Sequence, residues 1–402
     1  MAVILMILDG LGGKINTSAL SKSKHPNMDS LLKNGTCGLI QIHSDKRVPE
    51  SEGAHLELFG YSPEIYLKGR GPLEALGAGI KLCNGDIAFR TNFATIDSKG
   101  KVLDRRAGRI KSKEAKKLEK EINSIKIKGA EIIFKQTVDH RGVLILRGKG
   151  LSHEITNTDP AHPKEGELIS NWKNKKYLKS VPIKNSKEAK RTAEIINEFT
   201  KKSIEILSKN KMNKSRILPA NILLLRGPGY YCPIAPMKER FGIKACCIAG
   251  GALYKGCACY VGMDNINVKG ATGDEFTDLN AKIKATLKAV KKYDLVFLHI
   301  KATDVFGHDK NCKKKIEFIE KIDKAIKPLM KLKNTPIIIT GDHATPCSIG
   351  EHTSDPVPIL IYADEIPNDK IKVFNEKNCA KGELGLIYGK HLMPIITYLL
   401  GL

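Results

Sequence analysis

The chain has 402 residues, 42% of them apolar, and carries 67 Lys and Arg against 43 Asp and Glu, a formal charge of +24. This length suggests two or three domains, and the ordinary apolar content allows a large core and argues against disorder. No run of eighteen apolar residues occurs, and residues 1–8 lack the basic flank and cleavage site of a signal peptide, so a soluble, cytoplasmic chain with no membrane partner is expected.

In chain order, residues 2–8 form an apolar run that reads as a buried strand and delivers Asp9 and Gly10 in its first turn. Pro26 opens a short helix over 26–32, and 37–42 reads as a strand. Ser51 stands where an N-cap would, ahead of a short amphipathic helix closed by Gly60. A serine there reads either as that cap or as a nucleophile at a helix N-terminus, where amides and dipole favour a phosphate or alkoxide. Residues 68–80 are glycine-rich and read as a connector. From about Asp86 the composition changes: strands at 87–96 and 143–147 alternate with lysine-rich helices at 112–127 and 186–208. Arg105, Arg106 and Arg109 lie within five residues, a spacing that suits either wrapping an anion or bridging surface carboxylates. A further strand ends in Arg226 and a glycine turn.

Strand and helix signals resume at 244–249 and 252–261, the latter carrying Lys255. A helix at 275–292 leads to a strand at 294–300 and then to Asp304, with His308 four residues on. A helix at 313–332 leads to a strand at 335–340, whose Gly341 turn delivers Asp342 and His343; His352 follows nine residues later. Residues 357–362 form another strand, whose Pro358 is expected at a sheet edge or a strand start. Residues 389–400 read as a closing helix.

Three apolar strands that empty Asp and His onto one rim read as a metal site, placed beyond the carboxyl ends of strands in an open α/β sheet. Imidazole plus carboxylate suits zinc or manganese, and the ligand-type residues outnumber what one tetrahedral ion takes. Such residues occur at Asp9 and then only after residue 300. The economical arrangement is one α/β domain built from residues 1–80 and 235–402, interrupted by an inserted domain at 81–234, with glycine- and proline-bearing hinges. The ten cysteines are scattered and contain no C-x-x-C, so reduced, buried thiols are expected rather than a zinc ribbon. The lysines are spread as pairs along helical stretches without an aromatic-rich RNA-binding signature, zinc finger or basic zipper. They read as solvated faces that also attract a small anionic substrate, and nucleic acid is disfavoured as a partner.

Taken together, the Asp-Gly at the first strand end, Ser51 ahead of a His-Leu…Leu-Phe-Gly-Tyr-x-Pro helix, Asp304-x-x-x-His308, Gly341-Asp342-His343-x-Thr345-Pro346 and Glu351-His352-x-x-Asp355-Pro356-Val357-Pro358 resemble the alkaline phosphatase superfamily pattern. Within it, Gly69-Arg70-Gly71-Pro72-Leu73-Glu74-Ala75, Arg90-Thr91-Asn92-Phe93-Ala94-Thr95 and Asp104-Arg105-Arg106-Ala107-Gly108-Arg109 resemble the archaeal type of cofactor-independent phosphoglycerate mutase, almost end to end. The resemblance implies an alkaline-phosphatase-like three-layer α/β sheet core with an inserted smaller α+β domain. It implies one divalent ion on Asp304, His308 and His352 and another on Asp9, Ser51, Asp342 and His343, usually manganese, with zinc, cobalt or magnesium as alternatives. It further implies that Ser51 is the catalytic nucleophile of an isomerase that interconverts 3- and 2-phosphoglycerate in glycolysis and gluconeogenesis, without 2,3-bisphosphoglycerate. Arg105, Arg106, Arg109, Arg226 and Lys255 are the implied substrate donors, and a homo-oligomer is compatible with the pattern. Two positions depart from it. Pro49-Glu50-Ser51-Glu52-Gly53-Ala54 stands where the family reads Pro-Gly-Ser-Asp-Thr-Ala, and Gly13 stands where the opening turn usually ends in Asp. A phosphatase or a phosphotransferase with another acceptor, such as the proposed homoserine kinases of the superfamily, is the alternative enzyme reading. A nucleic-acid binder with an idle metal fold is the alternative from another class.

Overall fold

The apolar runs become strands β1 (Val3–Leu8), β2 (Gly35–Gln41), β3 (Ile87–Ile96), β4 (Val102–Asp104), β5 (Glu131–Gln136), β6 (Arg141–Arg147), β7 (Ile222–Tyr230), β8 (Ala245–Ile248), β9 (Asp264–Asn265), β10 (Leu295–Ile300), β11 (Ile337–Thr340), β12 (Val357–Tyr362) and β13 (Gly385–Tyr388). The structure, a computed structural model, describes residues 1–164, 167–364 and 366–402. It divides into two units, Met1–Tyr66 with Ile234–Leu402, and Leu67–Pro233.

The first unit holds an eight-stranded sheet in the order β13-β2-β12-β11-β1-β10-β8-β9. At its centre β11, β1 and β10 run parallel, and every residue of the three is buried. Strands covered on both faces read as unbroken apolar runs, which is why they stand out in the sequence. One face packs Ile4, Met6 and Leu8 of β1 against Met28 and Leu31 of helix Pro26–Lys33 and against Phe318 and Ile322 of helix Cys312–Ile326. The opposite face meets helix Ser51–Leu58 and its C-cap Phe59, whose ring lies 5.0 Å from that of Phe297 on β10. This is a three-layer α/β core. β12 is an interior strand rather than an edge, and Pro358 is its second residue; β11 pairs only with 360–362, so the missing N–H falls where that ladder has ended. Among the described residues no helix is long and apolar enough to cross a membrane.

The second unit is a five-stranded antiparallel sheet, β4-β3-β6-β5 with β7 on the other side of β3. Helices Ser112–Asn123 and Lys187–Lys209 bury Leu118, Ile122, Ile196 and Phe199 against it and turn their lysines outward. Residues 67–233 carry 36 Lys and Arg against 17 Asp and Glu, so this unit bears most of the chain's positive charge.

Residues 67–80, read from the sequence as the end of the first domain and a loose connector, belong to the second unit instead. Their glycines serve close packing. A Cβ on Gly71 would lie 1.9 Å from the Ala88 carbonyl oxygen, and one on Gly69 would lie 2.3 Å from that of Pro228. Helix Gly71–Gly77 is thereby seated on β3 and β7, and a glycine-rich composition that suggests a linker here marks backbone pressed on backbone.

Candidate metal centre

The register of the three central strands decides where the polar side chains gather. Ile7 of β1 is opposite both His299 of β10 and Thr340 of β11, so the three strands end together. Asp9 follows β1, Lys301 and Asp304 follow β10, and Asp342 and His343 follow β11. Gly10 (φ +62°) makes the turn after Asp9, and a Cβ there would meet Thr345 Oγ1 at 2.6 Å and Asp304 Oδ1 at 2.8 Å. The chain can therefore pass between these groups only as glycine.

Two sets of ligand-type atoms result, each with its members within 4.8 Å of one another: Asp304, His308 and His352, and Asp9, Asp342 and His343. Asp304 and His308 occupy one face of helix Ala302–His308 at i and i+4. Ser51 Oγ lies 3.4 Å from His343 Nε2, beside the second set. The His343 and His352 rings stack at 3.7 Å and join the two sets.

Ring nitrogens can be assigned from their partners. His308 Nδ1–H donates to the Gly350 carbonyl at 2.9 Å, and His352 Nδ1–H donates to that of Pro49 at 3.0 Å. Thr345 Oγ1 gives its one proton to Asp304 Oδ1 at 2.7 Å and so accepts from His343 Nδ1–H at 3.1 Å. Each imidazole is thus left with an Nε2 lone pair turned toward carboxylates. His343 Nε2 is 3.4 Å from both Asp9 Oδ1 and Asp342 Oδ2; His308 and His352 Nε2 are 3.4 and 3.5 Å from Asp304 oxygens and 3.2 Å from each other. Acceptors facing acceptors, buried in the Asp9, Asp342 and His343 set and opening to solvent at His308, fit a cation between them. The fully buried Asp342 Oδ2, which has no hydrogen-bond partner among the described residues, fits the same demand.

Lys301 is the ammonium within this group. Its Nζ donates to Asp9 Oδ1 at 3.1 Å and to Asp304 Oδ2 at 2.6 Å, so it spans the two sets. Burial disfavours the charged form of Asp9, yet the Lys301 charge outweighs it and holds the carboxyl well below its usual range. At Asp304 burial is likewise outweighed, by the adjoining His352 ring and then by the Lys301 charge. Asp342 goes the other way: burial and the neighbouring Asp9 charge push it well above the ordinary carboxylate range. Burial drives His343 and His299 down to about 3. His299 Nε2–H donates to Asp9 Oδ2 at 3.0 Å, Tyr254 stacks on His299 at 3.6 Å, and His55 Nδ1 lies 2.6 Å from the Ser51 carbonyl. Lys301, Thr345, His299, Tyr254 and His55 were not singled out from the sequence. Their signals were a polar residue inside a buried strand (His299), one at its end (Lys301), and one a helical turn from Ser51 (His55).

Ser51 is not an N-cap. It is the first helical residue; Glu50 holds the cap position without a side-chain cap bond, which frees Ser51 Oγ to face His343. Glu50 is exposed, forms no ion pair among the described residues, and acts on His352 through its charge. Glu52 is buried in the first turn. At the other departure, the Gly13 N–H donates to Glu376 Oε1 at 3.0 Å, and a Cβ at 13 would meet Ser18 Cβ at 2.8 Å. The carboxylate at this turn therefore comes from Glu376.

The second unit contains its own anion cradle. Arg226 and Arg90 are paired neighbours on β7 and β3, and Arg70 and Arg90 Nε both reach Glu74 Oε1, at 3.3 and 3.2 Å. Arg105 is paired with Asp159 and lies over Trp172. Arg226 has a buried Nε without a partner among the described residues, and burial, then Arg90, pushes its guanidinium down to about 9. Four guanidinium groups with two carboxylates leave a demand for negative charge. Arg106 and Arg109 are exposed and make no side-chain ion pair among the described residues, while Lys255 is half-buried on helix Ala252–Tyr260.

Comparison with known proteins agrees with this geometry. A family model described as 2,3-bisphosphoglycerate-independent phosphoglycerate mutase matches residues 33–213. The 2,3-bisphosphoglycerate-independent phosphoglycerate mutase 1 of Methanocaldococcus jannaschii is 42% identical over 408 residues, covering 99% of this chain and 97% of its own. A solved structure of a Pyrococcus horikoshii protein superposes with a TM-score of 0.83 at 33% identity, covering 100% of this chain and 97% of that one. The cofactor-independent phosphoglycerate mutase of Thermoplasma acidophilum gives 0.71 at 31% identity, with 100% of both chains covered.

Thr345 tests the reading of the ring nitrogens, because its hydroxyl serves both sets at once. Thr345→Val removes the acceptor that fixes the His343 tautomer and the donor to Asp304. Manganese affinity measured by titration calorimetry should fall by roughly 10–100-fold with the fold intact. An unchanged affinity would mean that the hydroxyl does not orient these groups.

Proposed function

The chain belongs to the 2,3-bisphosphoglycerate-independent phosphoglycerate mutase family, and from that premise we propose that it interconverts 3-phosphoglycerate and 2-phosphoglycerate through a phosphoserine on Ser51, as a cytoplasmic enzyme of glycolysis and gluconeogenesis. The observation that carries this reading is Ser51 Oγ lying 3.4 Å from His343 Nε2, beside two adjoining carboxylate–imidazole sets. Asp304, His308 and His352 would hold one divalent ion, and Asp9, Asp342 and His343 with Ser51 would hold the other, manganese being the leading choice. When bound, such ions lower the pKa of a serine hydroxyl and neutralise phosphoryl oxygens.

The chain's own groups divide the remaining work. Ser51 Oγ attacks phosphorus, a new Oγ–P bond forms, and the bond from phosphorus to the 3-oxygen of glycerate breaks, that oxygen taking up a proton. The glycerate then turns and its 2-oxygen attacks the phosphoserine, which releases Ser51. The phosphoryl group returns to the glycerate it came from, so 2,3-bisphosphoglycerate is not needed. Lys301, held between Asp9 and Asp304, keeps both carboxylates ionised and oriented. Arg226 and Arg105 are the foremost donors to the substrate carboxylate and hydroxyls, with Arg106, Arg109 and Lys255 as further candidates. The unpaired Nε of Arg226 supports its place at the head of that set.

A coupled assay for 2-phosphoglycerate, started from 3-phosphoglycerate with manganese and without 2,3-bisphosphoglycerate, should show turnover. Ser51→Ala should lower it roughly 10³-fold or more and abolish the labelled phosphoenzyme. Because Ser51 makes no cap bond, the same variant should unfold within about 0.5 kcal/mol of the parent. Near-parental turnover of Ser51→Ala would end the covalent route.

Glu50 is a second point of test. An exposed carboxylate with no ion pair among the described residues, beside the nucleophile, opposes a substrate that carries both phosphate and carboxylate. Glu50→Gly should raise mutase kcat/KM by roughly a few-fold, mostly through KM, and the gain should shrink at high ionic strength. A fall in mutase rate, or a change confined to phosphoserine hydrolysis, would instead assign Glu50 to steering a different acceptor.

A further inference from the structure

Cys312 and Cys347 are 35 positions apart in the chain, yet the fold brings both side chains to the wall of one cavity, where each thiol acts on the other. Cys312 is the first residue of helix Cys312–Ile326, four residues beyond His308. Cys347 lies four residues after His343 and five before His352. Both are partly exposed, and both line a cavity of about 280 Å³ whose wall includes Lys22, Lys310 and Lys315, with Lys14 paired to Asp355 at 2.8 Å. The buried Lys315 donates to the carbonyls of Gly10 at 2.7 Å and Thr345 at 2.9 Å, so its charge is not cancelled by a hydrogen-bonded acid.

The thiols of Cys37 and Cys379 act on each other in the same way, but both are fully buried. Mutual influence is therefore common to the two pairs, and access from a cationic cavity distinguishes one. Burial raises the Cys347 thiol more than Lys315 lowers it. A mostly protonated thiol argues against a fast peroxide sensor and for a slowly formed crosslink.

We propose that Cys312 and Cys347 are a modification site that reacts with anionic small-molecule disulfides to form an intramolecular disulfide, stapling the two segments that carry the candidate metal ligands. The Cys347 thiolate attacks one sulfur of the reagent and expels the other half as a thiolate. The Cys312 thiolate then attacks Cys347 Sγ and expels the second half. The protein loses two protons and two electrons, and the reagent leaves as two thiols. The closed loop contains helix Cys312–Ile326, β11, Asp342 and His343, and just outside it the Gly350 carbonyl holds His308 Nδ1–H. Separation of the Asp304 and His308 segment from the His343 and His352 segment is thereby opposed, and with it any ion release that proceeds by parting them.

The test treats manganese-loaded protein with oxidised glutathione, a net-anionic disulfide, or with cystamine, a cationic one whose leaving thiol is of similar acidity, at equal concentration. Peptide mapping should find a Cys312–Cys347 link without retained reagent, formed roughly tenfold faster with the anionic reagent. Exposed Cys83 and Cys232 should each retain one reagent half as a mixed disulfide, and Cys37 and Cys379 should remain thiols. Manganese release to a chelator should then slow by roughly fivefold or more relative to the reduced protein. Cys312→Ser and Cys347→Ser should each remove that difference. Absence of the link, equal rates with the two reagents, or a link that leaves manganese release unchanged would overturn the proposal.

Discussion

Three carboxylates, Asp9, Asp304 and Asp342, are buried together at the ends of three parallel strands with a single ammonium, Lys301, among them. Two like charges ~4 Å apart repel by ~4 kcal/mol even at an effective dielectric of 20, so this gathering is tolerable only with added positive charge. The surroundings conform to that requirement. Lys301 spans Asp9 and Asp304, Thr345 turns the His343 lone pair toward the carboxylates, and backbone carbonyls do the same for His308 and His352. The sheet order supplies the convergence, since β1 lies between β10 and β11 and shares its direction with both. A serine at the start of a helix then becomes a candidate nucleophile because of what it faces rather than because of the helix.

This part of the molecule was readable in the sequence for a physical reason. Strands covered on both faces are unbroken apolar runs, so the Asp and His residues that end them are conspicuous. The reading failed where one composition serves two structures. Ser51 matched a cap by position, but the helix begins one residue earlier than a cap would require, and only the three-dimensional neighbour His343 reveals it. Residues 67–80 matched a linker by glycine content, whereas Gly69 and Gly71 are there because backbone meets backbone. Thr345 could not have been chosen on chemistry, since its importance lies in passing one proton to Asp304 while receiving another from His343.

The second unit shows how charge can be split between general and specific tasks. Many of its lysines lie outside the buried faces, nine of them on two amphipathic helices, where they attract small anions without selecting among them. Selection needs directed donors, and these are the buried or half-buried arginines around β3 and β7. Two of the four are held by Glu74 and one by Asp159, which leaves Arg226 as the guanidinium with capacity to spare. Arg70 and Arg90 lie in the motifs that carry the family resemblance, yet their role in restraining Glu74 beside Arg226 depends on the strand pairing and is visible only in the fold.

The central claim is that these carboxylates and imidazoles form two adjoining cation sites with Ser51 at one of them. Anomalous diffraction from crystals of the manganese-loaded protein tests it most directly. The account predicts two peaks per chain, one among Asp304, His308 and His352 and the other among Asp9, Asp342 and His343 with Ser51 Oγ in contact. A single peak, or peaks located away from these residues, would contradict it.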